Sequence, residues 1–146
     1  MWITRGTRRA RAALALVATV SAAGLAVVAA PPAETAATGK AVGVVLNEWK
    51  LVPAQGTLSA GKVTFVVRNK GTMVHQFVVL RSDRRAGGLP VKGGKAVEAG
   101  RLGAINSIPR GVSKQLTMSL KPGRYVLICN LLGHYQAGQF AALRVR

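Results

Sequence analysis

The chain has 146 residues, which is room for one folded domain and a short leader but not for two domains of ordinary size. It carries 21 basic and 4 acidic residues, and its formal net charge is +17. Nucleic acid is the first partner that such a charge suggests, but the N-terminal residues predict export, which argues against nucleic acid. An acidic protein or an anionic membrane surface is the expected partner instead. Charge that only keeps a small exported protein soluble is the alternative.

Residues 1–30 have the pattern of a secretory signal. The first eleven residues contain four arginines and no acid, and residues 12–30 are uncharged and rich in Ala, Val and Leu. A basic start, an apolar stretch and small residues at its end predict a cleaved signal peptide. The 19 uncharged residues also approach the length of a membrane span, so an uncleaved N-terminal anchor is the alternative. Either interpretation places the domain in the periplasm, the cell envelope or the extracellular medium.

Residues 31–40 are small, polar and proline-bearing, which predicts a linker. From residue 41 onward, short runs of β-branched and aromatic residues are separated by turn residues, and such runs predict strands. The glycine-rich, basic segment 81–100 lacks periodicity and is predicted to be a long loop with at most a short irregular turn. No long helix and no internal repeat are expected. The pattern favours an all-β sandwich for residues 41–146, with strands within 42–46, 49–52, 63–67, 75–80, 101–108, 113–120, 125–128 and 140–145.

The single cysteine, Cys129, is the most informative residue of the chain. Small exported domains use disulfides, which need pairs of cysteines, and one cysteine cannot form an internal bridge. An odd cysteine in an exported protein points to intermolecular pairing, a reactive thiol or a metal ligand. The chain has two histidines. His134 follows Cys129 in the segment CNLLGH, just after a predicted strand, and His75 opens an earlier strand.

A thiolate with two imidazoles is the ligand set of a trigonal copper site. Four residues between Cys129 and His134 allow a tight loop that returns both side chains to one point, and His75 would join them from a neighbouring strand. Zinc suits this set less well, because a structural zinc site usually has four nitrogen or sulfur ligands. A Cys–His catalytic pair is a further alternative, although no orienting group or oxyanion pocket is visible. The remaining alternative is a buried cysteine that acts only as a small apolar side chain.

The sequence resembles the cupredoxin (blue, or type 1, copper) family over about residues 42–146. The matching segments are WKLVP, LSAGKVTFVVRNKG, MVHQFVVL and LKPGRYVLICNLLGHYQAGQFAALRV. In plastocyanin- and azurin-like members the first histidine follows an Asn-x-Gly turn, and a Pro-Gly-x-Tyr segment leads into the cysteine, as both do here. The resemblance implies a Greek-key β-sandwich of seven to eight strands with copper at one end, between loops.

The resemblance also implies a ligand set. The family's cysteine, second histidine and axial ligand share one loop, which assigns Cys129, His134 and Gln139, with His75 as the remaining ligand. Most relatives carry methionine at the axial position, and glutamine there is similar to the stellacyanin arrangement. A degraded site with weakened metal binding is the alternative. In the family the loop histidine emerges through an apolar surface patch and serves as the electron port, so His134 is expected to do the same.

These features predict an exported blue copper protein that carries single electrons between redox partners, with one type 1 copper per chain. It is expected to be a monomer and not an enzyme. Copper oxidases and nitrite reductases need additional histidines for a second copper centre, and this chain has two in all. The alternative is a copper-binding protein of the cell envelope that stores, delivers or senses the metal without redox turnover.

Overall fold

The structure is a computed structural model that describes residues 39–146. The predicted leader, 1–30, and residues 31–38 of the predicted linker lie outside the described residues. Within residues 39–146 no helix has the length and apolarity of a membrane span. The elements of this part are eleven strands and one 3-10 turn, Ala86–Gly88: β1 Lys40–Asn47, β2 Lys50–Pro53, β3 Thr57–Leu58, β4 Gly61–Asn69, β5 His75–Arg81, β6 Val91–Lys92, β7 Lys95–Ala96, β8 Arg101–Ile108, β9 Ser113–Leu120, β10 Gly123–Ile128 and β11 Phe140–Val145.

The longer strands form two sheets that pack face to face. The first sheet has the order β2-β1-β4-β9 and the second has the order β3-β11-β10-β5-β8. Alternate residues of both sheets point into one shared apolar core, as the period of two along a strand requires. Phe65 of β4 and Phe77 of β5 meet there with ring centroids 5.3 Å apart. The predicted all-β sandwich is confirmed, and eight of its strands have four or more residues.

The second sheet is covered on both faces. Its outer face carries Val78 and Leu80 from β5 and Val126 and Ile128 from β10, all of them buried. The segment between β5 and β8 covers these four side chains. Because both faces of β5 and β10 are buried, their sequences are continuously apolar and do not alternate between apolar and polar residues. This second, smaller core holds β10 rigidly on both sides up to the residue that precedes Cys129.

The segment 81–100 has more structure than the predicted loop. It contains the 3-10 turn and a two-stranded hairpin of β6 and β7, in which Lys92 pairs with Lys95. The two central residues are Gly93 and Gly94, with φ of 57° and 75°. A two-residue turn with both φ values positive is a hairpin turn that glycine adopts at little cost.

The hairpin of β1 and β2 also departs from the prediction. Asn47 pairs with Lys50, so Glu48 and Trp49 form a two-residue turn and β2 begins one residue later than predicted. Trp49 has φ of 63°, and no other non-glycine residue among the described ones has a positive φ. A large side chain in this conformation is unfavourable and is retained only where surrounding contacts hold it. The turn lies beside the predicted ligands.

Candidate metal centre

The connection between β10 and β11 holds three of the four predicted ligands. The two strands are paired as far as Ile128 and Phe140, and the next N–H, of Cys129, donates to the carbonyl of Gln139 at 3.0 Å. Cys129 and Gln139 therefore face each other where the loop leaves the sheet. Inside the loop, the N–H of Gln139 donates to the carbonyl of His134 at 3.1 Å, which folds His134 back toward Cys129.

The fourth predicted ligand, His75, is placed by a buried asparagine. Asn69 is fully buried, and its Nδ2 donates to the carbonyls of Met73 at 2.7 Å and Ile108 at 2.8 Å. Its Oδ1 accepts the N–H of Gly71 at 2.8 Å, which is the side-chain turn typical of Asn-x-Gly. Because all its hydrogen-bonding atoms are used, Asn69 fixes the loop before β5, and His75 begins β5 opposite Ile108.

The structure brings His75, Cys129 and His134 together, with one donor atom from each within 4.8 Å of the others. The Sγ of Cys129 lies 3.4 Å from Nδ1 of His134 and 4.0 Å from Nδ1 of His75. Bonds of about 2.0 Å to nitrogen and 2.3 Å to sulfur, the lengths of zinc sites, would separate nitrogen and sulfur by about 3.7 Å in a trigonal plane. The observed spacings bracket that value, so one small metal ion fits between the three atoms.

Gln139 is fully buried beside this cluster. Its Nε2 donates to the carbonyl of Asn47 at 2.6 Å and lies 3.1 Å from Nδ1 of His75. Its Oε1 lies 3.0 Å from Nδ1 of His134. The amide therefore lies against both imidazoles, with its nitrogen toward His75 and its oxygen toward His134.

The environment of the thiol sets how it ionises. Burial raises the pKa of Cys129, and the N–H groups of Leu131 and Gln76 partly oppose that shift. The N–H of Gln76 lies 3.2 Å from Sγ. Because β10 ends at Ile128, Gln76 has no strand partner on that side and its N–H is free for the sulfur. A protonated buried thiol must lose its proton when a metal binds, so metal binding supplies the free energy that ionises it.

His75 is held in its neutral form. Burial, with the neighbouring His134, lowers the pKa of His75 below its ordinary value, and Glu48 opposes that shift. A neutral imidazole has a free nitrogen lone pair, which a metal needs. The ligand set therefore includes a histidine whose ordinary protonation competes little with metal binding at neutral pH.

The surface next to His134 is apolar. His134 is only 9% exposed, because Trp49 packs against it edge-on with ring centroids 5.2 Å apart. Trp49 is 44% exposed and Leu132 is 71% exposed. Of the residues beside His134 in the loop, Leu132 is thus on the surface, whereas Tyr135 is buried, with its hydroxyl donating to the carbonyl of Ala86.

Sequence reasoning missed two residues of the turn that touches this site. Oε1 of Glu48 lies 3.5 Å from Nε2 of His75, and Trp49 covers His134. It also missed Asn130, which is buried and whose side chain holds Ala96 of β7 through both its oxygen and its nitrogen, at 2.8 and 3.0 Å. One sequence feature could have indicated Glu48: it is one of only four acidic residues in the chain, and it directly precedes Trp49.

Comparison with known proteins agrees with this geometry. The family model described as "Cupredoxin-like domain" matches residues 12–142, most of the chain. The fold is similar to auracyanin, reduced with dithionite, from the photosynthetic bacterium Roseiflexus castenholzii, at 19% identity and TM-score 0.55 over 74% of this chain and 98% of that one. It is similar to rusticyanin from Thiobacillus ferrooxidans, at 19% identity and TM-score 0.56 over 75% and 79% of the two chains.

A third similar structure is a multi-copper oxidase from Pediococcus acidilactici, at 16% identity and TM-score 0.51, over 81% of this chain and 29% of that one. No curated protein sequence matches the chain. At these identities the solved structures establish the fold alone, whereas the family model covers the sequence itself. With His75, Cys129 and His134 positioned to bind a single copper ion, the chain belongs to the cupredoxin-like family.

Proposed function

We propose that the protein is an exported carrier of single electrons that holds one copper ion through His75, Cys129 and His134. The observation that carries this proposal is the closed, ready-made donor cluster: three soft or borderline donors within 4.8 Å of one another and buried in the protein. Copper bound by a thiolate and imidazoles takes up and releases one electron. A ligand set held by the ends of packed strands changes little between the two charge states, which favours fast transfer.

Gln139 is the proposed axial ligand. The support is the direction of its amide: Nε2 is used by Asn47 at 2.6 Å, and Oε1 is left on the side of His134 at 3.0 Å. Axial glutamine or a backbone oxygen is an accepted variant of such sites. An amide oxygen is a harder donor than a thioether and favours Cu(II), so we expect a low reduction potential for this class.

The apolar surface beside His134 is the proposed port for electrons. Trp49 and Leu132 are both exposed at the edge of the site, and an aromatic ring at 5.2 Å from the His134 ring extends the ligand toward solvent. The high positive charge of the chain favours an acidic redox protein or an anionic membrane surface as the partner, because long-range attraction speeds encounter. The proposed electron carrier would act outside the cytoplasm, because the predicted leader directs export.

A copper-storing, copper-delivering or copper-sensing protein is the second candidate. Its support is Gln139 in place of the axial methionine that most relatives carry, because a protein that only carries copper does not need the potential that methionine sets. Rapid exchange needs an open site, however, and here His75, Cys129 and Gln139 are fully buried. The buried site favours electron transfer. An enzyme is disfavoured on the histidine count, since a second copper centre would need more than the two histidines of the chain.

The deciding experiment is titration of metal-free protein with Cu(II), followed by the visible spectrum and by voltammetry. We expect one copper per chain, an intense thiolate-to-copper absorption band and a reversible one-electron wave. A colourless protein that binds zinc equally well would refute the copper site. Transfer of the copper to a small chelator within minutes, without a reversible wave, would instead establish the carriage function.

A further inference from the structure

We propose that Glu48 is a positioning residue for the copper site, acting through His75, and that its carboxylate lowers the reduction potential. This inference rests on the proposed function, because it concerns the ligand that holds the copper. It assigns a role to a residue in the turn between two strands of the first sheet, whereas His75 begins a strand of the second sheet and the other predicted ligands lie in the loop between β10 and β11.

The first observation is an unpartnered nitrogen. His75 is fully buried, and its Nδ1 faces Sγ of Cys129 and the amide of Gln139. When Nδ1 binds a metal, the ring proton resides on Nε2, and this N–H needs an acceptor. In the structure Nε2 is buried without a hydrogen-bond partner. Oε1 of Glu48, at 3.5 Å, is the acceptor within reach in residues 39–146.

The second observation is that Glu48 is itself held in place. Its Oε1 accepts the N–H groups of Thr72 at 2.5 Å and Met73 at 3.0 Å, and the Thr72 hydroxyl lies at 3.3 Å. These donors belong to the loop that leads into His75. The carboxylate is therefore held in position beside His75 before any metal binds.

The third observation is the space left at Gly71. A Cβ on this residue would lie 2.8 Å from Nε2 of His75 and would also clash with the carboxylate of Glu48. Only glycine lets the backbone approach the two side chains so closely. The Asn-x-Gly turn therefore does more than turn the chain: its glycine leaves room for the carboxylate beside the histidine.

These contacts form the arrangement in which a carboxylate accepts the second N–H of a metal-binding histidine. Such a partner fixes the ring orientation and makes the imidazole a stronger donor, and its removal typically costs 10- to 100-fold in metal affinity. A negative charge near the ion stabilises Cu(II) more than Cu(I). Glu48 should therefore lower the potential in the same direction as an axial amide oxygen.

The test compares Glu48→Gln with the wild-type protein, both loaded with copper. Glutamine keeps an oxygen that can accept the N–H groups of Thr72 and Met73, so the loop should stay folded, which circular dichroism would verify. Asp83→Asn is the matched control, because it removes one negative charge from an exposed residue of the 81–100 segment. We measure reduction potentials by voltammetry and Cu(II) and Cu(I) affinities by competition with chelators.

We expect Glu48→Gln to weaken Cu(II) binding about tenfold more than Cu(I) binding, which corresponds to a potential about 59 mV higher. Asp83→Asn should leave both quantities unchanged. An unchanged potential in Glu48→Gln, or an equal shift in Asp83→Asn, would overturn this inference while leaving the copper site intact. A wild-type protein without the thiolate-to-copper band would overturn the site and the role of Glu48 together.

A separate observation concerns the far end of β10. Arg124 on β10 and Arg144 on β11 are directly opposite each other, and like charges in this position destabilise a strand pair. Both line a cleft of about 430 Å³, together with Arg84 and Arg85 from the segment after β5. Among residues 39–146, the carboxylates that lie within 4.0 Å of a basic side chain are Glu98, beside Arg101, and Glu48, beside His75, so none of these four arginines is paired there.

We infer that this cleft binds a phosphate group. Guanidinium groups match the oxygens of phosphate or carboxylate in pairs, and four unpaired positive charges favour the more highly charged of the two. Five residues of strand at about 3.4 Å each place Arg124 roughly 17 Å from Cys129, so the cleft is separate from the metal centre.

The probe is inorganic phosphate, and the readout is the thermal unfolding midpoint against sodium chloride at equal ionic strength. Phosphate should raise the midpoint of the wild type and of Lys62→Gln/Lys114→Gln, a control that removes two charges from the first sheet. It should have no such effect on Arg124→Gln/Arg144→Gln. Sedimentation with phosphatidic acid vesicles separates the sources: arginine-dependent binding there identifies a lipid headgroup, and its absence identifies a soluble phosphate. An equal phosphate effect in both double variants would refute the cleft.

Discussion

Replacement of Gln139 by methionine tests the least common feature of this site. The substitution changes a buried amide oxygen into a thioether of similar size and leaves His75, Cys129 and His134 in place. A softer axial atom stabilises Cu(I) relative to Cu(II), so the potential should rise. A tenfold change in the ratio of the two affinities corresponds to about 59 mV for one electron, and we expect a rise of at least that order.

The same substitution should also lower the stability of the metal-free protein. Gln139 donates a hydrogen bond from Nε2 to the carbonyl of Asn47 at 2.6 Å, and Nε2 also lies 3.1 Å from Nδ1 of His75. Methionine can replace neither contact. The loss of one such bond costs about 1 kcal/mol, and up to about 3 kcal/mol where the acceptor is left without a partner. Each 1 kcal/mol lowers the unfolding midpoint by roughly 4 to 8 °C in a domain of this size.

Voltammetry of both proteins in one buffer measures the potential, and thermal unfolding of the metal-free forms measures the stability. Gln136→Met is the matched control, because Gln136 is an exposed residue of the same loop and should change neither quantity. A potential that stays constant or falls in Gln139→Met would show that Gln139 is not the axial ligand. A raised potential without any loss of stability would show that the hydrogen bond to Asn47 contributes nothing.

Three further predictions concern the thiol, the charge and the acid response. Cys129→Ser should abolish the thiolate-to-copper band while circular dichroism stays unchanged; a band that survives would exclude Cys129 as a ligand. Electron exchange with an acidic partner should slow steeply as salt rises, because exposed charges are screened over about 10 Å at 0.1 M; a rate indifferent to ionic strength would assign the charge to solubility. The pKa of Glu48 is lowered from 4.5 to about 2 in the folded protein, so its ionised form contributes stability at and above pH 4.5 that is lost as the pH falls toward 2. Metal-free Glu48→Gln should therefore lose less stability than the wild type between pH 5 and pH 3 in denaturant titrations, and equal losses would contradict this.

Much of the sandwich could be predicted because its strands carry local signals. The β-branched and aromatic run 63–67 lies inside β4, and the predicted last strand, 140–145, coincides with β11. Burial alternates from one residue to the next along such strands, so residues that are adjacent in the sequence already carry the signal that predicts a strand. The order of the four predicted ligands, His75, Cys129, His134 and Gln139, came from the resemblance, and the structure places their side chains together.

The turn between β1 and β2 could not be predicted for the opposite reason. Glu48 and Trp49 make their important contacts with residues more than twenty positions away, at Thr72, His75 and His134. No local pattern records such contacts, and tryptophan favours strands by propensity. The hairpin within 81–100 carries a local signal, the Gly93–Gly94 pair, which is typical of a two-residue turn. The other glycines of the segment make this pair hard to distinguish from an irregular loop.

The distribution of the ligands along the chain has a consequence for how the protein matures. Cys129 and His134 are five positions apart, whereas Cys129 and His75 are 54 apart. In an unfolded chain only the nearer pair can meet a metal ion without closing a long loop, and closing that loop costs entropy. The complete donor set therefore arises only when β5 pairs with β10, and an ion that binds the finished set stabilises the native state over the unfolded one by its excess affinity. Copper would therefore stabilise the protein after it has folded, and it would not direct the folding itself.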